Sequence, residues 1–89
     1  MGIAESSVRI VNDLGLHARP SAEFVKLAGK YRCEISVARE GMAVNGKSIL
    51  GVMTLAAEQG ATLVIRAEGD DAEAAVTALE KLVARGFGE

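Results

Sequence analysis

In Cys33-Glu34-Ile35-Ser36-Val37-Ala38 the larger apolar side chains fall at every second position, and the alternation resumes in Met42-Ala43-Val44. A period of two is that of a strand with one face buried. Between the two runs, Glu40-Gly41 predicts a tight turn, because glycine takes a left-handed backbone without steric cost. Asn45-Gly46 turns the chain again. Upstream the period becomes helical from Ala18. Phe24, Leu27, Ala28 and Tyr31 share one face, and Glu23, Lys26 and Lys30 form a polar stripe. Pro20 is compatible only with the start of that helix, where a missing N–H costs nothing. Before it, Ser7 to Asn12 places Val8 and Ile10 on one face, predicting a first strand.

Downstream, a helix is predicted from about Ser48 to Gln59, with Ser48 as N-cap and Gly60 as its stop. Leu63, Ile65 and Ala67 then alternate with Thr62, Val64 and Arg66 in a fourth strand. Asp70 with Glu73 reads as a capping-box variant. The helix after it buries Ala72, Val76, Leu79, Leu82 and Val83, and Gly86 ends it. The order β-α-β-β-α-β-α, with helices segregated over one antiparallel or mixed sheet, predicts a two-layer α+β domain.

The 89 residues, 49% hydrophobic and 25% charged, have the proportions of a single folded domain spanning 1–89. Ten basic residues against twelve acidic ones argue against a nucleic-acid binder, which normally carries a basic face. Phe24, Tyr31 and Phe87 are too few aromatics for a base-stacking platform. The longest apolar stretch, Ile49 to Ala57, falls far short of the ~20 residues of a membrane helix. No charged-then-apolar leader opens the sequence, so no secretory signal is expected. The lone Cys33 suits a reducing cytoplasm. With one histidine and one cysteine there are too few soft ligands for a metal site, and no metal or cofactor is expected.

Chemistry concentrates on the only histidine, in Gly15-Leu16-His17-Ala18-Arg19-Pro20. An imidazole has an unperturbed pKa of about 6.5, so a neutral fraction with a free lone pair exists at pH 7 without a separate base. A phosphoryl group on His17 would face the unpaired N–H groups at the helix start and its positive dipole end. Ala18 and Arg19 are therefore candidate phosphate-binding residues, the latter adding a guanidinium. A solvated surface histidine or a helix cap is the plainer alternative for an isolated imidazole. No G-x-S-x-G elbow supports serine hydrolysis.

Gly41-Met42-Ala43-Val44-Asn45-Gly46-Lys47-Ser48 matches the P-loop pattern letter for letter. Three features argue against a nucleotide site. Met42 to Val44 alternates like a strand, Leu63-Val64-Ile65 leads to Arg66 rather than a metal-holding carboxylate, and the chain is short for a nucleotide-binding sheet. The helix that follows has almost no polar face. Spacing assigns Ile49, Val52 and Ala56 to the core and leaves Leu50, Met53 and Ala57 on a face that a two-layer domain cannot cover. An uncovered patch containing a flexible methionine points to docking. A phosphate on Ser48 would place charge beside it.

Gly15-Leu16-His17-Ala18-Arg19-Pro20, followed by Lys47-Ser48-Ile49-Leu50-Gly51-Val52-Met53, resembles HPr, the histidine-containing phosphocarrier family of the bacterial phosphoenolpyruvate:sugar phosphotransferase system. The resemblance implies an open-faced sandwich of four antiparallel strands with three helices on one side. It implies that His17 accepts a phosphoryl group at Nδ1 from phosphorylated enzyme I and passes it to IIA domains, with Arg19 binding the phosphate. Ser48 falls on the family's regulatory serine, a target of HPr kinase/phosphorylase, and Ile49, Leu50 and Met53 on its partner-binding patch. Such a carrier is a relay rather than a self-sufficient enzyme, expected as a cytoplasmic monomer. Asn12-Asp13-Leu14 also resembles the nitrogen-related branch, so both branches stand as expectations. A regulatory module that binds partners without relay is a further alternative.

Overall fold

The computed structural model describes residues 2–89. Strands β1 (Gly2–Arg9), β2 (Glu34–Arg39), β3 (Met42–Asn45) and β4 (Thr62–Gly69) are interleaved with helices α1 (Ala18–Ala28), α2 (Ile49–Thr54) and α3 (Ala72–Ala84). Every pairing is antiparallel, in the order β1-β4-β2-β3. The expected open-faced α+β sandwich is therefore the observed one.

The central hairpin forms where alternation and turn chemistry place it. Glu40 and Gly41 take φ of 50° and 85° between the paired residues Arg39 and Met42, the two left-handed residues of a two-residue hairpin turn. Ile35 and Val37 of β2, with Leu63, Ile65 and Ala67 of β4, turn inward and are buried; Glu34, Thr62 and Arg66 are exposed. Phe24 of α1, Val52 of α2 and Leu79 of α3 are fully buried in the same cluster. That convergence stabilises the fold most, since each such side chain contributes about 1.5–3 kcal/mol on burial.

Three boundaries differ from the expected ones. β1 spans Gly2–Arg9 rather than Ser7–Asn12. Its edge ladder to β4, from Gly2↔Gly69 to Arg9↔Thr62, imposes extended backbone on a segment whose small Ala4 and Ser6 give weak alternation. Ile10 lies just beyond the strand, buried, with its amide donating to Ala61 O at 2.9 Å. Helix α2 stops at Thr54 rather than Gln59. Ala56 there takes φ 48°, and Arg39 reaches over from β2 to donate to the Leu55 and Ala56 carbonyls at 3.2 and 2.9 Å. Those are carbonyls that a helix end leaves unpaired. Gly60 serves instead in the turn before β4, at φ 90°.

At the start of α3 the cap residue is Asp71, not Asp70, and no capping box forms. Its carboxylate accepts from the amides of Arg32 at 2.8 Å and Cys33 at 2.9 Å, tying the helix to the entry of β2. The Arg32 amide is the main reason that Asp71 is held below the usual carboxylate range. A carboxyl group depressed on folding adds stability above its unfolded pKa of about 3.9, and that increment is lost as pH falls through the folded value. Asp71→Asn is accordingly expected to lower Tm at pH 7, with the gap to the parent closing on acidification. Thermal melts from pH 7 to pH 2 check this; a pH-independent gap refutes it.

Candidate functional site

His17 occupies the N-cap of α1, with φ −79° and ψ −171°. The loop that delivers it is fixed by backbone contacts. Gly15 has φ 67°, and a Cβ there would lie 2.2 Å from the Ala57 carbonyl oxygen, so only glycine fits. The same oxygen accepts from Leu16 N at 2.8 Å, and Leu16 is buried. Asn12 Nδ2 donates to Gly15 O at 2.8 Å. The first turn of α1 adds Pro20, buried and in need of no acceptor, while Ser21 N donates to His17 O at 3.1 Å.

The imidazole is 35% exposed. It makes no cap hydrogen bond to the helix it heads. Nε2 lies 3.0 Å from Glu89 Oε2 and 3.3 Å from Oε1. An ionised carboxylate can only accept, so the proton sits on Nε2 and the lone pair on Nδ1. Among the described residues, no hydrogen bond engages Nδ1. The N–H groups of Ala18 and Arg19 open the helix beside it and have no intrahelical acceptor, and both residues are exposed. Burial pushes the Glu89 carboxyl up. Hydrogen bonds from Asn12 and His17, with the charges of His17 and Arg19, more than offset this and hold it below its ordinary value. The arrangement offers a ring nitrogen with a free lone pair beside the open amides of the first helical turn, with Arg19 close enough for its charge to act on Glu89.

Helix α2 packs beside α1, and Ala57, just past its end, is buried against the loop carrying His17. Leu50 is 79% exposed, Ile49 45% and Met53 38%. The uncovered face is thus Leu50, Met53 and Ile49, while Val52 alone of the helix is buried. Three residues differ from their spacing: Ala56 is exposed and Ala57 buried, because a helix ending at Thr54 does not carry its phase further, and Ile49 is exposed in the first turn of the helix. Ser48 is the N-cap, its Oγ accepting from Gly51 N at 3.1 Å. It sits at the end of α2 away from the His17 loop, about 9 Å along a six-residue helix.

The P-loop-like segment folds otherwise. Met42–Asn45 is strand β3, paired to β2. Lys47 Nζ donates to Tyr31 O at 2.6 Å rather than facing an amide-lined loop. Two residues at the site escaped sequence reasoning as parts of it. Asn12 reads from the sequence as a strand end and a mark of family branch, and Glu89 carries no local signal of its own. The available signal was Gly86-Phe87-Gly88, an aromatic between glycines just past a helix stop.

A family profile described as "PTS HPr component phosphorylation site" matches residues 4–85. The phosphocarrier protein HPr of Cupriavidus necator is 46% identical over 80 residues, 90% of each chain. The crystal structure of HPr-C-His from Thermoanaerobacter tengcongensis superposes with TM-score 0.93 at 45% identity, covering 97% of both chains. That of an HPr dimer from the same organism gives 0.78 at 46% identity, covering 92% of this chain and 94% of the other. With its fold and nearly its whole length shared in this way, the chain belongs to the HPr family of phosphocarrier proteins of the phosphotransferase system.

Proposed function

We propose that His17 is the residue that carries the phosphoryl group, taking it at Nδ1 from phosphorylated enzyme I and handing it to IIA domains, within one phosphocarrier domain spanning residues 1–89. One observation carries this reading: Nδ1 is left unengaged at the open start of α1, beside Arg19. Arg19 and the amides of Ala18 and Arg19 neutralise charge as phosphorus moves in line between nitrogens. Leu50, Met53 and Ile49 form a small apolar contact, suited to weak docking that releases fast. The relay works as a monomer in the cytoplasm. Incubation with enzyme I and phosphoenolpyruvate, followed by alkaline mass spectrometry, is expected to place one phosphate on His17; phosphate on another residue overturns the reading. Light scattering that shows a dimer at working concentration would overturn the monomeric relay.

Ser48 is the regulatory position and a substrate for HPr kinase/phosphorylase. Since it lies at the far end of α2, added charge acts on docking rather than on the imidazole. Ser48→Asp keeps a good N-cap and is expected to leave Tm unchanged. It should raise KM for phosphorylated enzyme I about tenfold, the equivalent of about 1.4 kcal/mol. An unchanged KM excludes this role. Asn12-Asp13-Leu14 supports a second reading, service in the nitrogen branch, and the relative rates with the two branches' enzyme I proteins separate the readings.

A further inference from the structure

The segment after α3 is built to hold Glu89 in one place. Gly86, Phe87 and Gly88 have φ of 65°, 60° and 79°. A left-handed phenylalanine is strained and persists only where its surroundings over-determine it. Here Phe87 is buried in the core cluster, anchoring the chain two residues before Glu89. Asn12, 7% exposed, clamps the other side: Nδ2 donates to Gly15 O at 2.8 Å and to Glu89 Oε1 at 3.0 Å. Both partners are acceptors, so the amide has one possible orientation, and Oδ1 is left buried without a partner among the described residues. An orphaned buried acceptor in a folded protein calls for an explanation. Holding Glu89 supplies one, because the same amide fixes both the His17 loop and the carboxylate.

We propose that Glu89, held by Asn12 and Phe87, is the positioning residue that sets the tautomer of His17 and balances its charge once phosphorylated. The inference rests on His17 being the phosphoryl acceptor. In the step, the Nδ1 lone pair attacks phosphorus. The N–P bond of the donor protein's phosphohistidine breaks and its electron pair returns to the donor ring. Nε2 keeps its proton throughout, so the phosphorylated ring of His17 is a cation. The Glu89 carboxylate, already on Nε2–H, becomes its counter-charge without rearrangement. On transfer to the next acceptor the N–P bond breaks and the ring returns to its neutral Nε2–H form.

Glu89→Gln tests this without disturbing a buried group. A glutamine amide can donate to Nε2 as well as accept from it, which admits the tautomer with the proton on Nδ1. Long-range 1H–15N correlation spectra of the unphosphorylated full chain, taken where the ring is neutral, should show a single Nε2–H form in the parent. In Glu89→Gln a measurable Nδ1–H fraction should appear. Phosphoryl uptake should fall at least about tenfold in kcat with KM for the donor unchanged, as for partners that orient another ligand. An unchanged tautomer overturns the inference, as does a changed tautomer with unaltered kcat. Failure of the parent chain to be phosphorylated on His17 would sink the relay reading instead, and the spectra would still decide the role of Glu89 on the ring.

Discussion

His17→Ala is expected to abolish phosphoryl uptake from enzyme I and phosphoenolpyruvate, with no detectable residual rate. In the proposed relay this side chain supplies the nucleophile, and the sequence contains no second histidine to substitute for it. The fold should survive the change. The imidazole makes no cap bond to α1 and is 35% exposed, so the loss of stability should stay within about 0.5 kcal/mol. The backbone that shapes the loop, Gly15 and Leu16, is untouched. Thermal melts and radiolabelled phosphate uptake check the two halves separately. An acid-labile phosphate persisting in His17→Ala would remove His17 from the relay.

The second large effect is expected at a residue with no side chain. In Gly15→Ala the new methyl group would meet the Ala57 oxygen at 2.2 Å and Glu58 Cα at 2.9 Å, both backbone atoms that cannot rotate away. A φ of 67° adds strain of its own. Left-handed backbone and overpacking together cost about 2–5 kcal/mol, against a total stability of about 4–13 kcal/mol for a chain this long. Tm should therefore fall by on the order of 10–30 °C. Because Leu16 N donates to that same Ala57 oxygen, relief of the clash must move the strand of chain entering His17. Phosphoryl uptake should drop even at temperatures where the variant is folded. A Tm within a few degrees of the parent, with full uptake, would show that the loop has slack the geometry denies.

Legibility in the sequence followed the range of the forces involved. The hairpin of β2 and β3 could be read because alternation and Glu40-Gly41 are written in adjacent residues. The face of α3 could be read because Ala72, Val76, Leu79, Leu82 and Val83 repeat at helical spacing. The site's imidazole, the arginine two residues on and the serine cap of α2 are legible for the same reason: each sits in a short motif whose chemistry is complete within a few residues. The exposure of Leu50 and Met53 followed from the shortage of polar positions on their helix. Three features were invisible locally. The end of α2 had no stop signal, since nothing in Leu55 to Gln59 forbids helix. Asp70 and Glu73 matched a capping pattern, yet the neighbouring Asp71 found better donors on Arg32 and Cys33. The early start of β1 came from its pairing partner.

What the sequence alone determined is the element order, the α+β layering and the identity of the imidazole at a helix mouth. These depend on periodicity and turn chemistry between near neighbours. What only the tertiary structure decided is which distant group completes each local arrangement. Arg39 stops α2 by bonding carbonyls 16 and 17 positions on, and Glu89 orients an imidazole 72 positions back. A carboxylate or guanidinium has the same local signature wherever it stands, and its role is set by the acceptor or donor that folding brings within about 3 Å of it.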